Sequence, residues 1–183
     1  AMPRLSRRAD SLGTENAFSV GADIAKVSGR GVDVVKLNIG EPDFDSAAHI
    51  NEAAIAEIRR GNSHYCDPQG VIGLREAICG HIAETRRLHV TPDRVVVTTG
   101  GKPGIGFTIQ SYVNPGDEVI YPSPGFPIYE SWITYSGGKP VPLHLREESG
   151  FTFTPDDLAA LITPRTRVIF LCSPSNPTGG VLS

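Results

Sequence analysis

The spacing of apolar residues changes character along this chain. Up to about residue 90 they recur every three or four positions, the period of an amphipathic helix. This predicts helices over Glu15–Ser28, Ser46–Arg60 and Val71–Leu88. Thr14 and Ser46 are candidate N-caps. Ile50, Ala54 and Ile58 form the stripe of the second helix, and Leu74, Ile78 and Ile82 that of the third. Gly29, Gly31 and Gly61 follow helix ends, where glycine is favoured. A short strand is predicted over Val34–Asn38, before the turn Gly40-Glu41-Pro42-Asp43.

From residue 94 the pattern becomes short apolar runs separated by turns. Arg94–Thr99 is β-branched and nearly continuous, which predicts a strand buried on both faces. Further strands are predicted over Glu118–Tyr121, Lys139–Leu145 and Arg167–Cys172. Helices alternate with them over Lys102–Val113, Pro127–Ser136 and Pro155–Ile162, the last capped by Thr154. Asn114-Pro115-Gly116-Asp117 is a turn. Such alternation implies an α/β fold with a mostly parallel sheet flanked by helices. Ligands bind such sheets at the C-terminal ends of the strands. The loops Gly100–Lys102, Pro122–Phe126 and Ser173–Gly179 leave those ends and are rich in Gly, Pro, Ser or Asn. The last strand ends at Cys172 and the chain stops eleven residues later, so the sheet is expected to be incomplete.

Composition narrows the function. The chain has 183 residues, 39% hydrophobic and 20% charged, with net charge −3. This describes a globular protein and argues against a nucleic-acid binder, whose affinity would rest on clustered cations. The basic group Arg4, Arg7 and Arg8 reads as a solvated arm. Cys66, Cys79 and Cys172 lack CxxC spacing, so neither a disulfide framework nor a zinc site is expected, and a reducing cytoplasm fits. The histidines show no ligand spacing, so no metal is expected. No apolar run is long enough to span a membrane, and no secretory signal is expected.

Several short runs could carry chemistry. Thr99-Gly100-Gly101-Lys102 takes a strand into a helix, whose N-terminus suits a phosphate, and Lys102 adds a charge. It matches neither the P-loop nor the dinucleotide fingerprint. Taken alone it reads equally as a phosphate turn and as an ordinary strand–helix turn. Asn176, between Pro174 and Pro177, could donate to a phenolate or carboxylate or could simply make an Asx-turn. Phe126 could stack on a planar ring or belong to the core. Tyr65 could donate to an anion or lie on a surface loop. Gly40 could bring backbone N–H groups close to a ligand or only turn the chain.

Taken together and in order, these runs resemble the class I/II aminotransferases, fold-type I pyridoxal-phosphate enzymes of the aspartate aminotransferase type. The resemblance covers nearly the whole chain. It rests on Leu37–Phe44, Tyr65–Gly70 followed by Leu74–Ile78, Thr99–Lys102, Asn114–Asp117, Tyr121–Phe126 and Ser173–Gly180. It implies an N-terminal arm at 1–14, a small-domain segment at 15–45, and the first part of the large cofactor-binding domain at 46–183. The implied cofactor is pyridoxal 5'-phosphate, and the implied reaction moves an amino group between an amino acid and a 2-keto acid.

The implied roles follow residue by residue. Gly100, Gly101 and Lys102 hold the cofactor phosphate. Phe126 stacks on the pyridine, and Asn176 bonds the phenolic oxygen and the substrate carboxylate. Gly40 lends its backbone to that carboxylate. Tyr65 reaches the phosphate of the other subunit in a homodimer. Cis bonds are implied at Ser123–Pro124 and Asn176–Pro177. The lysines are Lys26, Lys36, Lys102 and Lys139, none where the family places its Schiff-base lysine, so that residue is expected after Ser183. The parent protein is therefore expected to be roughly twice as long, and this chain alone inactive. A carbon–sulfur lyase or an aminocyclopropane-carboxylate synthase would share the same runs. A ligand sensor would carry a winged-helix segment, for which the residues before Glu15 are too few. A structural or dimerising piece is the third alternative.

Overall fold

The computed structural model describes residues 4–12 and 16–182. The chain groups into two compact units, Ala1–Val34 with Gly101–Ser183, and Val35–Gly100.

The first unit is built on three parallel strands, β1 (Glu118–Ser123), β2 (Lys139–His144) and β3 (Thr166–Ile169), in the order β2-β1-β3. Glu118 pairs with Lys139 and Ser123 with His144 on one side of β1. Val119 pairs with Val168 on the other, after a register shift beside Glu118. As the central strand, β1 has both faces covered, and Val119 and Ile120 are fully buried.

Helices α4 (Gly101–Tyr112) and α5 (Ile128–Tyr135) pack on this sheet. Ile109, Val113, Val119, Tyr129 and Ile133 form the core, flanked by Tyr121, Phe126, Trp132 and Phe170. The turn after α4 forms as expected: the Asn114 N–H donates to Asp117 Oδ2 at 2.8 Å, and Asp117 N–H to the Asn114 carbonyl at 3.0 Å. Helix α6 (Pro155–Ala159) carries the expected Thr154 cap as a full capping box with Asp157. Helix α1 (Asn16–Ser28) is present, while its candidate cap Thr14 lies outside the described residues. The basic arm is not merely solvated. Arg7–Ser11 forms a 3-10 helix, and the Arg8 guanidinium lies 5.6 Å from the Tyr135 ring centroid.

One buried charge gathers the starts of all three strands. Glu118 accepts from Thr163 Oγ1 at 2.7 Å, from Arg165 at 2.8 and 3.2 Å, and from Lys139 Nζ at 3.1 Å. The Thr163 hydroxyl first, then Arg165 and Lys139, hold its carboxyl at about 2. This anchor sits at the N-terminal edge of the sheet and leaves the opposite edge to the loops.

The second unit contains α2 (Ala48–Arg59) and α3 (Ile72–Arg86). Ser46 does not cap α2; Ala47 takes that position without a side-chain bond. The predicted strands Val34–Asn38 and Arg94–Thr99 pair with no strand among the described residues. Pro92–Arg94 is a 3-10 turn, and Val95 after it is extended, with φ −110° and ψ 125°. β-branched residues dictate that extended conformation, but a ladder also needs a neighbouring backbone. Here Val97 N–H finds the Gln69 carbonyl at 2.8 Å instead. Among the described residues no helix is long and apolar enough to cross a membrane.

Candidate active site at the strand ends

The loops that leave β1 and β3 at their C-terminal ends, and the N-terminus of α4, all belong to the first unit. Gly100 has φ +82°, which turns the chain into α4. The Thr98 hydroxyl donates to the Gly100 carbonyl at 2.6 Å and the Gly100 N–H to the Thr98 carbonyl at 2.9 Å, closing that turn. Gly101 and Lys102 open α4, and Pro103 falls within its first turn. The opening turn of a helix directs N–H groups outward and carries partial positive charge.

Beyond β1, Gly125 makes a turn so tight that any Cβ there would collide with the Pro122 carbonyl. The Ser123–Pro124 bond is cis. This turn delivers Phe126, half-buried, with its ring edge-on to Tyr129 at 6.2 Å. Tyr129 in turn packs on Phe170 at 4.9 Å. Burial raises the Tyr129 hydroxyl, and Cys172 beside it adds to the effect. The Lys102 ammonium lies 5.5 Å from the Phe126 ring centroid. The fold has thus joined a cation, a helix N-terminus and an aromatic ring contributed by two separate loops.

Beyond β3 the chain folds back on itself. Ser175 N–H donates to the Gly180 carbonyl and Gly179 N–H to the Ser175 carbonyl, each at 2.8 Å. Leu182 N–H donates to Ser173 Oγ at 3.0 Å. The Asn176–Pro177 bond is cis, and so is Ser173–Pro174, a bond no sequence signal had singled out. Ser175 is buried, while Asn176 stands exposed on the surface of this braced loop. Gly40 and Tyr65 belong to the second unit, and both are exposed. Among the described residues no group of three or more His, Cys, Asp or Glu could hold a metal.

Sequence reasoning gave Arg75 no role, yet it is the one buried charged side chain of the second unit. It lies in a run that carries the family resemblance, but spacing alone could not tell its side chain from a solvated helix face.

Residues 32–183 match the family described as Aminotransferase class I and II. The chain is 38% identical over 180 residues to the aspartate/prephenate aminotransferase of Thermus thermophilus, covering 98% of this chain and 47% of that protein. It is 39% identical over 153 residues to the arginine–pyruvate transaminase of Pseudomonas aeruginosa, covering 84% of this chain and 39% of that one. The solved Thermus thermophilus aspartate aminotransferase with maleate superposes with a TM-score of 0.92 at 38% identity, over 98% of this chain and 47% of that one. The chain therefore spans about half the length of the curated relatives it matches.

Proposed function

The chain belongs to the class I and II aminotransferases, and from that premise we propose that the complete protein moves an amino group between an L-amino acid and a 2-keto acid with pyridoxal 5'-phosphate. The observation that carries the proposal is the meeting of Lys102, the α4 N-terminus and the Phe126 ring. That donor set fits the cofactor: a dianionic phosphate matches an ammonium and a helix N-terminus, and a flat heterocycle matches a ring face.

When bound, the cofactor supplies an electron sink that acidifies the α-C–H of the amino acid joined to it. The residues of this chain position it. Gly100, Gly101 and Lys102 hold the phosphate. Phe126 fixes the plane of the ring. Asn176 would donate its amide to the phenolic oxygen and to the substrate carboxylate. Tyr65 would donate to the phosphate bound by a partner subunit, and the proposed assembly is therefore a homodimer with shared sites. No lysine of this chain is assigned the Schiff-base role, which the proposal gives to a residue of the complete protein outside these 183 residues. The exposed free thiol of Cys66 supports a reducing, cytoplasmic setting.

The test is the absorbance of the complete gene product with pyridoxal phosphate. We expect a yellow lysine-bound form that bleaches with one amino donor and returns with a 2-keto acid. A bound cofactor that no amino acid converts to its amine form would instead favour a lyase.

A further inference from the structure

We propose that Arg75 is a positioning residue that holds the Tyr65 loop in the shape needed to reach the partner subunit's phosphate; this rests on the reading of Tyr65 given above. The Tyr65 side chain is 108% exposed, projecting from the loop Tyr65–Gly70. Two and four residues along, at Asp67 and Gln69, the same loop is bound by a buried cation. The Arg75 guanidinium, on α3 and only 7% exposed, donates from one terminal nitrogen to Gln69 Oε1 at 2.6 Å and to the Pro92 carbonyl at 3.1 Å. Its other terminal nitrogen reaches Asp67 Oδ2 at 3.5 Å.

The loop is closed on itself as well. Gln69 N–H donates to Asp67 Oδ1 and Gly70 N–H to the Asp67 carbonyl, each at 2.8 Å. Gln69 also accepts the Val97 N–H at 2.8 Å through its carbonyl. At φ +103° Gly70 packs so closely that a Cβ would lie 2.8 Å from Val97. One planar cation thus ties together α3, the loop and the segment at Pro92.

This is a poor way to gain stability. Burying a guanidinium is costly, and its carboxylate partner is half exposed and distant. Its Nε, also buried, has no hydrogen-bond partner among the described residues. An apolar side chain would fill the space with less desolvation. What arginine adds is geometry, because its fork of donors fixes acceptors in one plane. The loop below Tyr65 is the structure so fixed.

The experiment compares the affinity of the complete protein for pyridoxal phosphate with its affinity for pyridoxal, which lacks the phosphate. The variants are Tyr65→Phe, Arg75→Met and the double variant. Tyr65→Phe should lower the phosphate-over-pyridoxal preference about tenfold, the size of one hydrogen bond to a charged group. Arg75→Met should lower it similarly, and the double variant should fall no further than the lower single, since both changes act through one contact. Equal weakening of both ligands by Arg75→Met, or losses that multiply in the double variant, would make Arg75 merely structural. A preference moved by Tyr65→Phe but not by Arg75→Met sinks this proposal alone. A preference that Tyr65→Phe does not move sinks the reading of Tyr65, and this proposal with it. Where Arg75→Met does not yield folded protein, Gln69→Leu removes the 2.6 Å acceptor, together with the longer bond from Gln69 Nε2 to the Asp93 carbonyl at 3.4 Å, and is read in the same way.

Discussion

The two units of the chain turn similar helical patterns into different kinds of order. In residues 101–182, α4 and α5 bury Ile109, Ile128, Tyr129 and Ile133, and the sheet beneath them is fully covered at Val119 and Ile120. In residues 35–100, α2 buries no residue, and its stripe residues Ile50 and Ile58 are exposed. The buried side chains there are Val95 and Arg75. The first region is held by apolar packing, which is non-directional and strong in sum. In the second, α3, the Tyr65–Gly70 loop and Pro92 are joined by directed hydrogen bonds around one guanidinium, which fix shape more than they add stability. An amphipathic period therefore says which face of a helix can be buried, not whether anything buries it.

The largest test of this contrast is Ile133→Ala. Ile133 is fully buried, so the change should cost about 2–5 kcal/mol through lost transfer energy and a cavity. Urea unfolding followed by the fluorescence of Trp132, which packs against the same core, reads it directly. A loss under about 1 kcal/mol would show that the core of the first unit is loose.

A smaller effect concerns Glu118 and acid. Its carboxyl is held at about 2 in the folded chain against 4.5 ordinarily. A depressed folded value means the stabilisation is complete above about pH 4.5 and is lost progressively as pH falls toward 2. Glu118→Gln should flatten the acid limb of the stability curve in that window and leave its shape near neutrality unchanged. An acid limb identical in the two proteins would remove Glu118 from the account of the sheet.

The smallest expected effect is the sharpest control. Ile58 on α2 is 76% exposed in this chain, so Ile58→Ser in the 183-residue chain should change its stability by no more than about 0.5 kcal/mol. A cost above about 1 kcal/mol would mean this face is covered in solution, and the contrast between the units would narrow.

Much of this is legible in the sequence. Thr154 caps α6 and Asn114–Asp117 turns into β1 because both depend on groups within three residues of each other. The alternation of strands and helices after residue 101 foretold a parallel sheet, and with it loops at the C-terminal strand ends. Other features were out of reach. Arg94–Thr99 has the composition of a buried strand and Val95 is extended, yet the segment pairs with none of the described strands. Arg75 looked like any helix-surface cation until its partners at 67, 69 and 92 came together.

The sequence by itself determined the local conformations, the order of elements and the family, because turns, caps and helical periods are decided by neighbours along the chain. Only the tertiary structure decided which apolar faces are buried, which extended segment is paired, and that Lys102 meets the face of Phe126. Those outcomes depend on surfaces supplied by residues far apart in sequence, and no local pattern encodes where such a partner will be.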